Sequence, residues 1–270
     1  MRLPVLALLF PLLLFAGTTG AGAVPPIKDV VRTWDGAMLF VRVEDPDYRF
    51  VVLDGSVNAP YLRRALERID PRTLRGVIVH LHGCSYHRRD MDVRSQARFM
   101  ASLGYAVLVP DSFRRRYRPA TCDPEKRLGL PRAPYLDVQR MRQEELAYAI
   151  DRILAYPWAR PDRLYVSGYS EGGDAVIAFS DPRVRGRIAI GSSCWLGAKT
   201  EAAAPVLVIT ARNDLWYSAD TWPEAQGLCR RRLGGEPSVM VLEPDGALHN
   251  ALIYWESQIA LWNFLVRAAY

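Results

Sequence analysis

Beyond residue 23 this sequence has no second apolar run of membrane-spanning length, no internal repeat and no low-complexity tract. Those absences exclude a spanning bundle, a solenoid and a disordered tail. Histidine is scarce, with four in 270 residues. His80, His82 and His87 fall close together, but no carboxylate cluster accompanies them. No metal is therefore expected, and His80 and His82 read as structural. No cysteine comes before Cys84, so nothing near the amino terminus supports a lipid anchor. The formal charge of +6 is modest and calls for no nucleic-acid partner.

The amino terminus itself reads as a leader. Residues from Met1-Arg2-Leu3-Pro4 to Phe15-Ala16 give a cationic start and a brief apolar core, and Ala21-Gly22-Ala23 supplies small residues for cleavage. Residues 1–23 are thus expected to be a secretory signal peptide cut near Ala23, leaving a secreted or periplasmic product. Losing 23 of 270 residues leaves 247, and losing Arg2 lowers the charge from +6 to +5. Residues 24–270 fit one α/β domain with no stable membrane anchor. Nothing in the sequence sets an oligomeric state.

Along that domain, strand-like and helix-like runs alternate. Residues 38–43, 49–53, 76–81, 105–109, 163–167, 187–190, 205–210 and 238–242 read as strands. Residues 61–69, 95–103, 138–156 and 254–266 read as helices, with Met141, Leu146, Ala149, Ile150, Ile153 and Leu154 at roughly helical spacing in the longest. Unbroken apolar strands between helices predict a mostly parallel central sheet with helices on both faces. The irregular stretch 114–134 is long for a connection and leaves a strand end, so it is expected to overhang a site.

Gly168-Tyr169-Ser170-Glu171-Gly172-Gly173 sits between a strand-like and a helix-like run. In this strand–turn–helix context a G-x-S-x-G sequence projects the serine hydroxyl from a sharp turn, while the small residues let strand and helix pack closely. A serine hydroxyl needs a base within hydrogen-bond reach, and the base needs an acid to orient it. With the chain order serine, acid, histidine, the acid falls on Asp214, just past the strand 205–210. The base falls on His249, the only histidine after Ser170. An oxyanion would be met by the backbone N–H groups of Glu171 and of Cys84, which follows His82-Gly83.

These pieces, with Gly104-Tyr105 through Ser112-Phe113 and Gly246-Ala247-Leu248-His249, resemble the dienelactone hydrolase-like branch of the α/β-hydrolase superfamily in its exported serine-esterase form. The resemblance spans about residues 76–265. It implies an α/β-hydrolase fold and a triad of Ser170, Asp214 and His249 that cleaves carboxylic esters without a cofactor. Dienelactone hydrolases proper carry a cysteine nucleophile where this chain has Ser170, so lactone hydrolysis is not implied. A peptidase or an acyltransferase would use the same triad. A binding protein of hydrolase fold would not need it.

The remaining features concern substrate and cross-links. The expected partner is a small-molecule ester. Arg114, Arg115, Arg116, Arg118 and Arg212 suggest that it is anionic, the bland alternative being a solvated basic loop. Tyr86, Tyr169, Trp195, Arg212 and Trp216 are the candidate substrate contacts, and Tyr217 and Trp222 are further aromatic candidates near strand ends. Glu171 reads as a support for its own helix N-terminus. Four cysteines on an exported chain suggest disulfides and allow three connectivities. Cys84 and Cys122 follow strands expected to be neighbours, which favours Cys84–Cys122 and leaves Cys194–Cys229.

Overall fold

The computed structural model describes residues 29–45, 47–85, 91–130, 132–133, 135–198, 204–218 and 222–267. The expected signal peptide, Tyr86 and His87 lie outside the described residues.

A short helix α1 (Arg32–Asp35) leads into the antiparallel pair β1 (Met38–Asp45) and β2 (Arg49–Ser56). Then come α2 (Pro60–Arg68), β3 (Gly76–Leu81), α3 (Met91–Ser102) and β4 (Tyr105–Val109). A small hairpin, β5 (Cys122–Asp123) with β6 (Leu128–Gly129), precedes the long helix α4 (Tyr135–Leu154). The second half continues with β7 (Leu164–Tyr169), α5 (Glu171–Ile177), β8 (Val184–Ile190) and β9 (Val206–Ile209). It closes with α6 (Leu228–Leu233), β10 (Val239–Leu242) and α7 (Trp255–Arg267).

Eight strands form one sheet in the order β10-β9-β8-β7-β3-β4-β1-β2. All neighbours are parallel except β1, which runs antiparallel to both β2 and β4. The two-residue period of a strand divides the core between two faces. From β3, Val77, Val79 and Leu81 join Leu62 of α2 and Leu146 and Ile150 of α4. Ile78 joins Val93 and Met100 of α3 and Leu261 of α7 on the opposite face.

The sheet order reverses between β3 and β7: from β3 the chain goes outward to β4, then crosses back to β7. In such sheets a crevice opens beyond the carboxyl ends of the two strands that flank the reversal. The chain leaves β3 at Leu81 toward Cys84 and leaves β7 at Tyr169 toward Ser170, so both follow strands that flank this crevice.

Two differences from the sequence reading are local. Helix α3 begins at Met91, four residues before the expected start. The stretch 114–134 contains β5 and β6, whose two-residue strands are too short to leave a pattern. Both disulfides are formed as expected, Cys84–Cys122 and Cys194–Cys229.

Candidate active site

The turn from β7 into α5 places Ser170 at φ 55° and ψ −120°, a region costly for a side-chain-bearing residue. Such a conformation costs about 1–3 kcal/mol and persists only where its surroundings enforce it. Here the enforcement is close packing. A Cβ on Gly168 would lie 2.1 Å from the Gly172 carbonyl oxygen, and one on Gly172 would lie 2.6 Å from the His82 carbonyl oxygen. Only glycines let α5 pass this near to β7 and to the end of β3. The Ser170 amide is held by the Ile190 carbonyl at 2.8 Å.

Asp214 follows β9 and caps a 3-10 turn by accepting the Trp216 amide at 2.9 Å. Its other carboxylate oxygen lies 2.7 Å from His249 Nδ1. A carboxylate only accepts, so Nδ1 carries the proton and Nε2 keeps its lone pair. That Nε2 is buried and has no hydrogen-bond partner among the described residues. The loops bearing the two groups are themselves cross-linked: the Asn213 amide donates to Gly246 O at 3.0 Å and the Leu215 amide to Ala247 O at 3.2 Å. Trp216 stacks on the His249 ring at 5.2 Å, while Tyr169 and Tyr217 pack at 5.1 and 5.4 Å. The buried Tyr217 phenol donates to Gly191 O at 2.9 Å. Burial, then the Asp174 and Asp214 charges, raise this phenol well above its ordinary range.

The amides of Cys84 and Glu171 flank Ser170, and neither has a backbone acceptor among the described residues. Their peptide planes are fixed from behind. His82 Nε2 accepts the Ser112 amide at 3.0 Å, which puts the ring proton on Nδ1. Nδ1 then donates to Gly83 O at 2.7 Å, on the same peptide group as the Cys84 amide. Ser170 O, on the same peptide group as the Glu171 amide, accepts the Gly173 and Asp174 amides at 2.8 and 3.2 Å. The adjoining carbonyls are held too: Arg142 donates to His82 O at 2.7 Å, and Gln139 to Glu171 O at 3.2 Å. Burial, with the Arg142 and Arg118 charges, holds His82 well below its usual titration range, so the ring is neutral.

Beneath these amides lies a buried set of charges. Arg118 pairs with Glu171 at 2.5 Å, and Arg142 with Glu145 at 2.7 Å and Glu171 at 3.8 Å. Arg115 pairs with Asp29, Glu144 and Glu145 at 3.1, 2.7 and 3.4 Å. Thr121 donates to the second oxygen of Glu171, tying the loop before α4 to the helix of the serine.

This corrects the reading of the arginine-rich segment. Arg115 and Arg118 are buried and spent on internal carboxylates, and Arg114 lies 3.6 Å from Asp111. Arg212 is exposed and does not line either of the two clefts beside Ser170. Glu171 does more than support its helix, since its carboxylate pairs with two buried arginines.

Ser170 lies between two clefts. One, of about 570 Å³, is lined by Leu130, Tyr135, Trp195, Tyr217 and Trp222. The other, of about 270 Å³, holds His249 together with Tyr169, Leu248 and Ile253. Trp216 and Cys84 border both. Of the expected contacts, Trp195 and Trp216 thus line the larger cleft and Tyr169 the smaller, its hydroxyl 3.1 Å from Asp92. Sequence reasoning missed Gln139, Arg142 and Tyr135. A clue was present: Gln139, Arg142 and Glu145 recur every third residue, each beside an apolar residue (Val138, Met141 and Leu146) of the helix's buried face.

No family model matches the chain, and no curated protein does. Solved structures do. Pyrococcus furiosus esterase Pf2001 superimposes with a TM-score of 0.50 at 17% identity, over 74% of this chain and 86% of its own. Est1E from Butyrivibrio proteoclasticus gives 0.50 at 11%, over 73% and 89%. The dienelactone hydrolase-like promiscuous phosphotriesterase P91, from metagenomic libraries, gives 0.53 at 15%, over 86% and 99%. The chain has the α/β-hydrolase fold. In α/β-hydrolases a nucleophile turn, an acid and a histidine occupy successive loops at the carboxyl edge of the sheet. Ser170, Asp214 and His249 follow β7, β9 and β10 in that order.

Proposed function

We propose that this protein is an exported serine hydrolase of the dienelactone hydrolase-like kind that cleaves carboxylic esters through an acyl-enzyme on Ser170. The observation that carries the reading is the open Nε2 of His249, oriented by Asp214 at 2.7 Å and sharing a cleft with a serine on a strained turn. His249 Nε2 takes the Ser170 proton as Oγ bonds to the ester carbonyl carbon. The amides of Cys84 and Glu171 meet the oxyanion. The protonated imidazole, held by Asp214, then gives its proton to the departing alkoxide. Water repeats the sequence and releases the acid. The esterase names of the two solved relatives agree with this chemistry. Export is supported by the leader and by two disulfides, which persist in oxidising compartments.

The test is covalent labelling of purified protein by a fluorophosphonate probe, alongside hydrolysis of p-nitrophenyl acetate. Both should be lost in Ser170→Ala, with kcat falling on the order of 10⁶-fold, since a triad acts as a unit. Undiminished turnover in that variant would refute the assignment.

A further inference from the structure

We infer that the preferred esters join a bulky, uncharged aromatic acyl group to a small alcohol, the acyl group lying in the 570 Å³ cleft and the alcohol in the 270 Å³ cleft. This rests on the ester-hydrolase reading of the same site and adds the direction in which the substrate lies.

The argument starts from the tetrahedral intermediate. Its carbon carries Ser170 Oγ, the oxyanion, the alkoxy oxygen and the acyl carbon. The oxyanion faces the amides of Cys84 and Glu171. When the carbon–oxygen bond breaks, the alkoxide must take its proton from His249 Nε2, so the alkoxy oxygen lies on the His249 side. His249 lines the smaller cleft and not the larger. The alcohol therefore enters the smaller cleft, and the acyl chain is left with the larger.

The two clefts differ in what they can hold. The larger has the size of an ordinary small-ligand site and sets Tyr135, Trp195, Trp216, Tyr217 and Trp222 around one space. Broad ring faces of this kind favour another ring stacked or edge-on. The smaller cleft, at about half the volume, is bordered by Leu248, Ile253 and the His249 ring.

The charges of the larger cleft point to a neutral tail. Glu171 is compensated by Arg118 at 2.5 Å. Asp174 accepts the Ser192 and Ser193 hydroxyls, each at 2.8 Å, so its charge is held within the wall. The remaining charged residues among the described lining are Arg132 and Glu224, of opposite sign and both exposed. Among the described residues no buried guanidinium lines this cleft, which is why the inference departs from the anionic ester expected from sequence.

An isomeric pair of neutral esters tests the assignment: methyl 3-phenylpropanoate, with the ring on the acyl side, and 2-phenylethyl acetate, with it on the alcohol side. Purified full chain should favour the first at least tenfold in kcat/KM, about 1.4 kcal/mol. Trp222→Ala should bring the ratio toward one by weakening the first substrate more than the second. Trp195→Ala, at a residue 46% exposed and so tolerant of truncation, should do the same if Trp222→Ala fails to fold. Intact-mass analysis after rapid quenching should show Ser170 carrying the 3-phenylpropanoyl group. Equal rates, or a preference for 2-phenylethyl acetate, in protein that labels with the fluorophosphonate would overturn the assignment and leave the ester-hydrolase reading standing. No labelling and no turnover of any ester would remove both.

Discussion

Gly172 shows how one hydrogen in place of a methyl group can hold Ser170, the proposed nucleophile, in position. A Cβ there would meet His82 O at 2.6 Å and Leu81 O at 2.7 Å, both backbone atoms that cannot swing aside. Gly172→Ala should push α5 off β3 and destabilise the protein by about 1–3 kcal/mol, the usual cost of overpacking. Because Ser170 and the Glu171 amide move with that helix, kcat should fall as well. Gly235→Ala makes a control, since nothing lies within 4 Å of a Cβ there and the change should stay within about 0.5 kcal/mol. Denaturant unfolding of the two variants side by side decides it, and equal stabilities would refute the packing account. The glycines around Ser170 were legible in the sequence because the constraint is local, fixed by neighbours in the chain. Arg142 was not. Its role comes from reaching His82 O, 60 positions away, and Glu145 inside a buried set that no local pattern announces.

At the level of elements, the hairpin β5–β6 is fastened to the rest of the molecule at one end by Cys84–Cys122, a bridge spanning 38 residues. Closing a loop of that length in the unfolded chain is worth about 3–4 kcal/mol. The same bridge fixes Cys84, whose amide is proposed to meet the oxyanion, and Thr121 beside Cys122 donates to Glu171. Replacing both cysteines by alanine should therefore lower stability by about that amount and reduce kcat more than it raises KM, since the groups displaced act on the intermediate rather than on the bound ester. Unchanged unfolding midpoint and unchanged kcat would count against the bridge having either role. The pairing was legible because Cys84 and Cys122 follow β3 and β4, which are indeed adjacent. The arginines of this segment were misread for a physical reason. A run of like charges looks solvated or substrate-facing until the carboxylates of Glu144, Glu145 and Glu171 are seen to converge on it from α4 and α5.

For the molecule as a whole, two buried neutral histidines set a response to acid. Burial lowers His80 to about 3 and holds His82 well below the ordinary value of 6.5. Below pH 6.5 the unfolded chain takes up protons that the folded chain refuses, so stability must fall as pH drops toward about 3. His80 should contribute a loss of about 2 kcal/mol between pH 7 and 5, and His82 a further loss of the same sign. Denaturant midpoints across that range should show the slope, and His80→Gln should make it shallower. A flat profile would mean that both rings take up protons in the folded state. The alternation of strands and helices was readable along the whole chain. The sheet order was not, because β1, which pairs locally with β2, also pairs with β4 across more than sixty positions. The two cross-links also bear on how the chain is made. Their partners are consecutive, first with second and third with fourth, without interleaving. As the polypeptide emerges from its amino terminus, each thiol finds its native mate as the next to appear, so oxidation in order of synthesis yields the native set without an isomerase having to undo a wrong pair.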